Sequence, residues 1–180
     1  MTPYDLGKVF TLMESGPVVL VTTNDGQRDN VMTITWTMVL DFAGTLAITT
    51  GPWNHSFGAL RRTRECVIAL PPVDMLDQVI GVGTCSGSST DKFEAFGLTR
   101  RPAERVRAPL IAEALANIEC RVVEMIEPYT ILVLQAEAAW TDPTRAETRL
   151  LHAVGDGTFI TDGERLDRRA AMRNRLPPGF

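Results

Sequence analysis

The feature that most restricts this chain is an early pair of strand-like runs joined by a tight turn. Val18-Val19-Leu20-Val21-Thr22-Thr23 leads into Asn24-Asp25-Gly26, and a second run extends from Val31 to Met38. Asp-Gly between two such runs is a strong hairpin signal. In the second run Thr33, Thr35 and Thr37 alternate with Met32, Ile34, Trp36 and Met38, the two-residue period of a strand buried on one face. A chain that begins its sheet this way breaks strand–helix–strand alternation at the outset, which excludes a doubly wound parallel sheet. Gly81-x-Gly83 therefore does not mark a dinucleotide fold. Ser86 stands where the third glycine is needed, and the preceding segment reads as helix, not strand. No Walker A lysine pattern is present either.

The remaining segments continue the same pattern. Residues 4–14 carry an apolar stripe at Tyr4, Leu6, Val9, Phe10 and Met13 after Thr2-Pro3, a helix start, and Ser15-Gly16-Pro17 ends it. Strands are expected at Thr45–Thr50 and Cys66–Leu70, with a short helix between them that Asn54 would cap and that runs to about Thr63. Asp74–Ile80 reads as helix. Asp91-Lys92-Phe93-Glu94 resembles a capping box. Residues 98–117, with Pro102 and Pro109, read as a long irregular connection with helix near Leu110–Leu115. Ile118–Glu127 and Tyr129–Trp140 are two long strands around Pro128, with Glu119 and Glu124 on the solvent face. A last strand near Gly157–Thr161 precedes an arginine-rich, mobile tail. Six or seven strands in hairpins, interrupted by short helices, imply a mainly β protein with helical inserts, an antiparallel barrel.

Composition removes several classes of function. With 18 Lys and Arg against 22 Asp and Glu, the net charge is -4, which disfavours nucleic acid as a partner. Cys66, Cys85 and Cys120 are odd in number and form no Cys-x-x-Cys pair, so they read as reduced, buried thiols of a cytoplasmic protein. His55 and His152 are too few for a His-rich metal site. There is no signal-peptide pattern and no run of 18 or more apolar residues, so no membrane segment is expected.

Three constellations could carry chemistry. On the strand beginning at Asn30, the positions Asn30, Met32, Ile34 and Trp36 share a face. Asn offers donor and acceptor together, and Trp offers a broad apolar surface. A turn-ending Asn30 and a core Trp36 explain that motif more simply when it is taken alone. Gly51-Pro52-Trp53-Asn54-His55-Ser56 bends the chain and opens a helix, with Ser56 and His55 as donors for an anion and Arg61, Arg62 and Arg64 further on. An ordinary capped surface helix remains the simpler explanation for that segment alone. In Gly83-Thr84-Cys85-Ser86-Gly87 followed by Asp91-Lys92-Phe93, small residues let backbone approach a ligand closely, and Lys92 is a mobile positive charge. No serine–histidine–aspartate order or acid pair suggests hydrolysis, so a redox cofactor is the economical source of chemistry.

Read in order, these stretches resemble the flavin reductase-like FMN-binding family, including flavoredoxins. The resemblance is carried by Gly16 to Thr23, Asn30-Val31-Met32-Thr33-Ile34-Thr35-Trp36, Glu65-Cys66-Val67-Ile68, Asp91-Lys92-Phe93-Glu94, Gly97-Leu98-Thr99, Ala108-Pro109-Leu110-Ile111 and Ile118-Glu119-Cys120. It extends from residue 6 to about residue 160. It implies an FMN-binding split β-barrel over residues 1–165, a C-terminal tail over 166–180, and a homodimer with FMN near the subunit interface. Carried over by position, Asn30, Met32, Thr33 and Trp36 would line the ring and ribityl chain, and Thr50, Asn54, His55 and Ser56 would sit near the phosphate. Ser86 and Lys92 would complete the polar side, with Tyr129 and Phe159 as further flavin contacts. Several relatives carry histidine where this chain has Tyr129, and Trp53 and His55 are not general family residues.

The implied activity is NAD(P)H-dependent flavin reduction, with electrons passed to an unidentified small-molecule or protein acceptor. An FMN electron carrier or flavin-binding module without nicotinamide activity is the alternative, and a dimeric scaffold that has lost flavin is a third. NADH and NADPH remain equally open as reductant, with Arg61 and Arg62 as candidates for a 2′-phosphate. No catalytic side chain is indicated.

Overall fold

The computed structural model describes residues 1–12 and 16–177, and of residues 10–12 the backbone alone. Among the described residues a two-residue strand, β1 (Thr2–Pro3), precedes β2 (Val19–Asn24), β3 (Asp29–Ile34), β4 (Thr37–Val39) and β5 (Thr45–Thr49). Helix α1 (Phe57–Thr63) leads to β6 (Glu65–Leu70), and α2 (Leu76–Thr84) and α3 (Lys92–Ala95) follow. Short strands β7 (Arg100–Arg101) and β8 (Leu110–Ile111) precede the long pair β9 (Ala116–Ile126) and β10 (Ile131–Thr141). The hairpin β11 (Leu151–Ala153) and β12 (Phe159–Thr161) and a one-turn helix α4 (Arg169–Met172) complete the chain.

The main sheet runs β3-β2-β6-β9-β10-β5-β4, antiparallel throughout, with β1 added on β10. Its two edge strands, β3 and β4, are consecutive in the chain and separated only by Thr35 and Trp36. Two residues cannot span a flat seven-strand path at roughly 4.8 Å per strand, so the sheet must curl until its edges meet. The fold is a split β-barrel, mostly β with short helices. Its interior takes alternate residues of every long strand: Val19 and Val21, Met32 and Ile34, Leu46 and Ile48, Cys66 and Ile68, Ile118 and Cys120, Leu132 and Leu134. Outside the barrel α2, α3 and the β11–β12 hairpin cover Val18, Leu20, Val31 and Ala69. Ala103, Val106, Ala108 and Leu110 cover Val67 and Trp140.

Several local expectations are corrected. The run from Val31 to Met38 is two strands, because the chain turns between Ile34 and Thr37 to pass from one edge of the sheet to the other. The first helix is a 3-10 turn over Leu6–Leu12; its expected end at Met13 and Ser15 lies outside the described residues. Ser56, not Asn54, is the residue before α1, and the Asn54 amide turns back to donate to Thr50 Oγ1 at 3.0 Å. Helix α2 continues through Gly81 and Gly83 to Thr84. No helix forms near Leu110–Leu115: Leu110 and Ile111 pair with Arg101 and Arg100, and the Asn117 side chain bonds both the N–H and the C=O of Ile111. Asp91 caps α3 as expected, accepting from Phe93 and Glu94 N–H. Of the thiols, Cys66 and Cys120 are buried and Cys85 is half-buried.

Glu119 is the largest correction. It is fully buried, because the 103–110 segment lies over its strand. Its carboxylate accepts from the backbone N–H groups of Glu104, Arg105 and Val106 and from Trp140 Nε1 at 2.7 Å. Glu124 is exposed as expected.

Candidate functional site

Where the β2–β3 hairpin leaves the barrel, a cavity of about 430 Å³ opens between the hairpin, α1 and the 87–88 segment. Its walls include Thr23, Asn30, His55, Ser56, Arg62 and Gly87, with Asp25, Arg28, Asp29 and Ser88 toward the hairpin tip. Register explains the first pair. Asn24 faces Asp29 across the hairpin, so Thr23 faces Asn30. The turn between them is fixed by Asp25 Oδ1, which accepts from Gln27 and Arg28 N–H, and by Gly26 at φ 100°, a conformation that suits glycine. Those two backbone donors hold the Asp25 carboxyl below its ordinary pKa, so it is ionised at neutral pH.

Asn30 Nδ2 donates to Ser56 Oγ at 2.9 Å, which ties the hairpin to the start of α1. Thr23 Oγ1 is buried and has no hydrogen-bond partner. A buried hydroxyl without a partner is destabilising, and this one belongs to a cavity wall that also carries Asn30, Ser56 and two arginines. Among the described ion pairs neither Arg28 nor Arg62 has a carboxylate partner; Arg62 reaches only the Asp25 carbonyl, at 3.5 Å. Asp29 is held from behind: Arg100 Nε lies 3.3 Å from it, and Asn24 Nδ2 donates to it at 2.7 Å. Arg100 also pairs with Asp91 at 2.8 Å and lies 4.2 Å over the Phe93 ring. Burial opposes the Asp91 charge, but the N–H groups of Glu94 and Phe93 and the Arg100 guanidinium outweigh it and keep its pKa below the ordinary value. The cavity thus presents hydroxyl and amide groups beside the Arg28 and Arg62 guanidinium groups, whose charges also act on Asp25, a surface suited to a phosphate ester.

The other residues expected from sequence are distributed as follows. Thr50 is buried, donating to Met32 Sδ at 3.8 Å and accepting from Asn54. Met32 itself points into the barrel core. Thr33 Oγ1 donates to the Val79 carbonyl of α2 at 2.7 Å. Ser86 shares a hydrogen bond with Ser88. Lys92 is buried, donates from Nζ to the Val82 carbonyl at 2.7 Å, and is not part of the cavity wall; burial lowers its pKa. Trp36 is exposed and lines a second groove, of about 290 Å³, with Met38, Ile48, Thr49 and Ile131. Tyr129 is exposed on the turn before β10, and Phe159 packs under the β11–β12 hairpin. The fold therefore gathers Asn30, His55 and Ser56 in one cavity, while Met32, Thr33, Thr50, Asn54 and Ser86 are not part of its wall. Trp36, Lys92, Tyr129 and Phe159 lie elsewhere on this chain.

Residues 13–158 match the family described as flavin reductase like domain. The chain belongs to that family. Within the flavin reductase-like family, an FMN-binding domain of a flavin reductases-like enzyme from Shewanella baltica superposes with a TM-score of 0.85, at 24% identity over 92% of this chain and 96% of that one. Flavoredoxin of Desulfovibrio vulgaris (Miyazaki F) superposes with a TM-score of 0.78, at 23% identity over 85% and 90% of the two chains. An uncharacterized protein of Archaeoglobus fulgidus is 34% identical over 102 residues, which is 56% of this chain and 58% of that protein. This flavin reductase-like chain thus spans less than two thirds of that relative's length.

Sequence reasoning missed Thr23, Asp25, Arg28, Asp29 and Ser88 as wall residues. Thr23 was accessible to it: a turn centred on Asp25-Gly26 with Asn24 opposite Asp29 places Thr23 opposite Asn30. Ser88 and the Arg100–Asp29 pair depend on long-range packing and have no local signal.

Proposed function

We propose that this chain binds FMN, takes electrons from NADH or NADPH, and passes them to a separate acceptor. The observation that carries the proposal is the buried, partnerless Thr23 hydroxyl on the same wall as the Asn30–Ser56 pair. Thr23, Asn30 and Ser56 would hold the ribityl phosphate, with Arg62 supplying positive charge and His55 lining the same wall. Thr50 and Asn54 would keep that wall in place through their own hydrogen bond. Bound flavin would supply the hydride and electron transfer. The groove along Trp36, Met38 and Ile131 would receive the ring end.

A second copy of the chain fits the same reading. Trp36 and Met38 are exposed along one groove, and Leu40, Trp53 and Tyr129 are exposed as well, Tyr129 at 70%; a second copy would cover apolar side chains of this kind. Covering it with a second copy would bring Tyr129 of one subunit toward the flavin of the other. No helix among the described residues is long and apolar enough to cross a membrane. The free thiols fit a reducing compartment such as the cytoplasm.

The test is the visible spectrum of the purified protein with FMN, followed anaerobically after NADH or NADPH is added. Bound flavin that bleaches supports the reductase. Bound flavin that stays oxidised assigns an electron carrier. Absence of bound flavin removes both.

A further inference from the structure

A second pocket, of about 250 Å³, lies between α1 and the turn that joins β9 to β10. The turn pairs Ile126 with Ile131 and Met125 with Leu132, and Thr130, at φ 51°, closes it. Helix α1 contributes Phe57 and Arg61, four residues apart and therefore on one helix face. The wall is mostly apolar, and Phe57, Met125 and Leu132 also pack in the barrel core. Its two charged residues are Arg61 and Glu127. Neither side chain takes part in a described hydrogen bond or ion pair, with the other or with any third residue. Ile131 lines this pocket and the groove along Trp36 alike, so one side chain separates the two.

An apolar wall with a single guanidinium selects an apolar molecule that ends in a carboxylate. Burial of the apolar body supplies affinity, and the guanidinium forks onto the two carboxylate oxygens. Glu127 limits the charge of the ligand. One positive and one negative group on the wall tolerate a monoanion, whereas a phosphate or a dicarboxylate meets repulsion. At roughly 30 Å³ for each water displaced, the pocket holds on the order of eight to ten non-hydrogen atoms. We infer that this pocket binds a small apolar monocarboxylate, aliphatic or aromatic. The pocket stands by itself; the ligand's position next to a flavin ring rests on the flavin reading above.

Isothermal titration calorimetry with hexanoate, benzoate, hexanamide, succinate and inorganic phosphate tests it on the wild-type protein and on Arg61→Gln, Arg61→Lys, Glu127→Gln and Ile126→Trp. Hexanoate and benzoate are expected to bind at least about tenfold tighter than hexanamide, the gain from a charge-assisted hydrogen bond. Succinate and phosphate should bind more weakly than either. Arg61→Gln should bring hexanoate down to the level of the amide, and Arg61→Lys should recover part of the loss. Glu127→Gln should strengthen hexanoate and admit succinate. Ile126→Trp should fill the pocket and abolish binding, while FMN affinity changes by less than about threefold. Thermal melts identify any variant that has failed to fold, and Arg61, being exposed, tolerates exchange. Equal binding of hexanoate and hexanamide, or hexanoate binding untouched by Arg61→Gln, would overturn the assignment. So would phosphate bound tighter than hexanoate, or Arg61→Gln weakening NADPH alone, since either gives Arg61 to a phosphate. Loss of carboxylate binding with FMN still bound sinks the pocket and spares the flavin reading; carboxylate bound without FMN does the reverse.

Discussion

Gly87 packs so closely on Asn30 that a Cβ built on it would stand 2.2 Å from Asn30 Oδ1. The atom in the way is the end of a side chain, so the backbone need not shift; the amide must swing aside instead. Gly87→Ala should therefore break the Asn30–Ser56 hydrogen bond at a modest loss of stability, about 1 kcal/mol. FMN affinity should fall roughly tenfold, because the wall residue is displaced. Urea melts and flavin titration measure the two effects separately, and unchanged affinity would show that Asn30 does not touch the ligand.

Arg100 holds Asp29 and Asp91 together without reaching the cavity itself. Arg100→Ala should leave the Asp29 carboxylate facing any bound phosphate and weaken FMN severalfold. Adding Asp29→Asn should recover most of that loss, because the repelling charge is gone. A double-mutant cycle on flavin affinity checks this; additive losses would mean that Arg100 acts through packing on Phe93 instead.

Lys92 gives a pH dependence. Burial lowers its folded-state pKa below the ordinary 10.5. Between the lowered value and 10.5 the unfolded chain binds more protons than the folded one, so stability rises with pH across that window. Below the window both states carry the charge and its burial opposes folding in full. Lys92→Met should remove the rise in denaturation midpoint on the alkaline side of neutrality. A variant that keeps the same alkaline slope would show that the slope comes from another group.

Glu119 is held by backbone donors of the 104–106 segment and by Trp140. Glu119→Leu would strand those donors in a buried setting and should lower stability by roughly 3 kcal/mol or more. Indole fluorescence should report release of Trp140 in the same titration.

The parts of this structure written in local pattern were readable from sequence. The β2–β3 hairpin follows from Asp25-Gly26 between alternating runs, and Asp91 caps α3 as its spacing implies. Family membership followed from short motifs in order. What could not be read depends on distant segments. Glu119 resembled a solvent-facing charge because nothing near it announces that residues 103–110 will cover it. Trp36 shared a two-residue period with Asn30, but the turn after Ile34 carries it to the opposite edge of the sheet. Lys92 resembled a free cation, whereas α2 extends past its glycines and offers the Val82 carbonyl.

The phosphate-binding role of the Thr23–Asn30–Ser56 wall is tested most directly by comparing riboflavin with FMN on the wild-type protein. The two differ only in the phosphate, so a cavity built around it should favour FMN by at least tenfold, about 1.4 kcal/mol. Thr23→Val should erase most of that preference. Equal dissociation constants for riboflavin and FMN would contradict the assignment of this cavity to the phosphate.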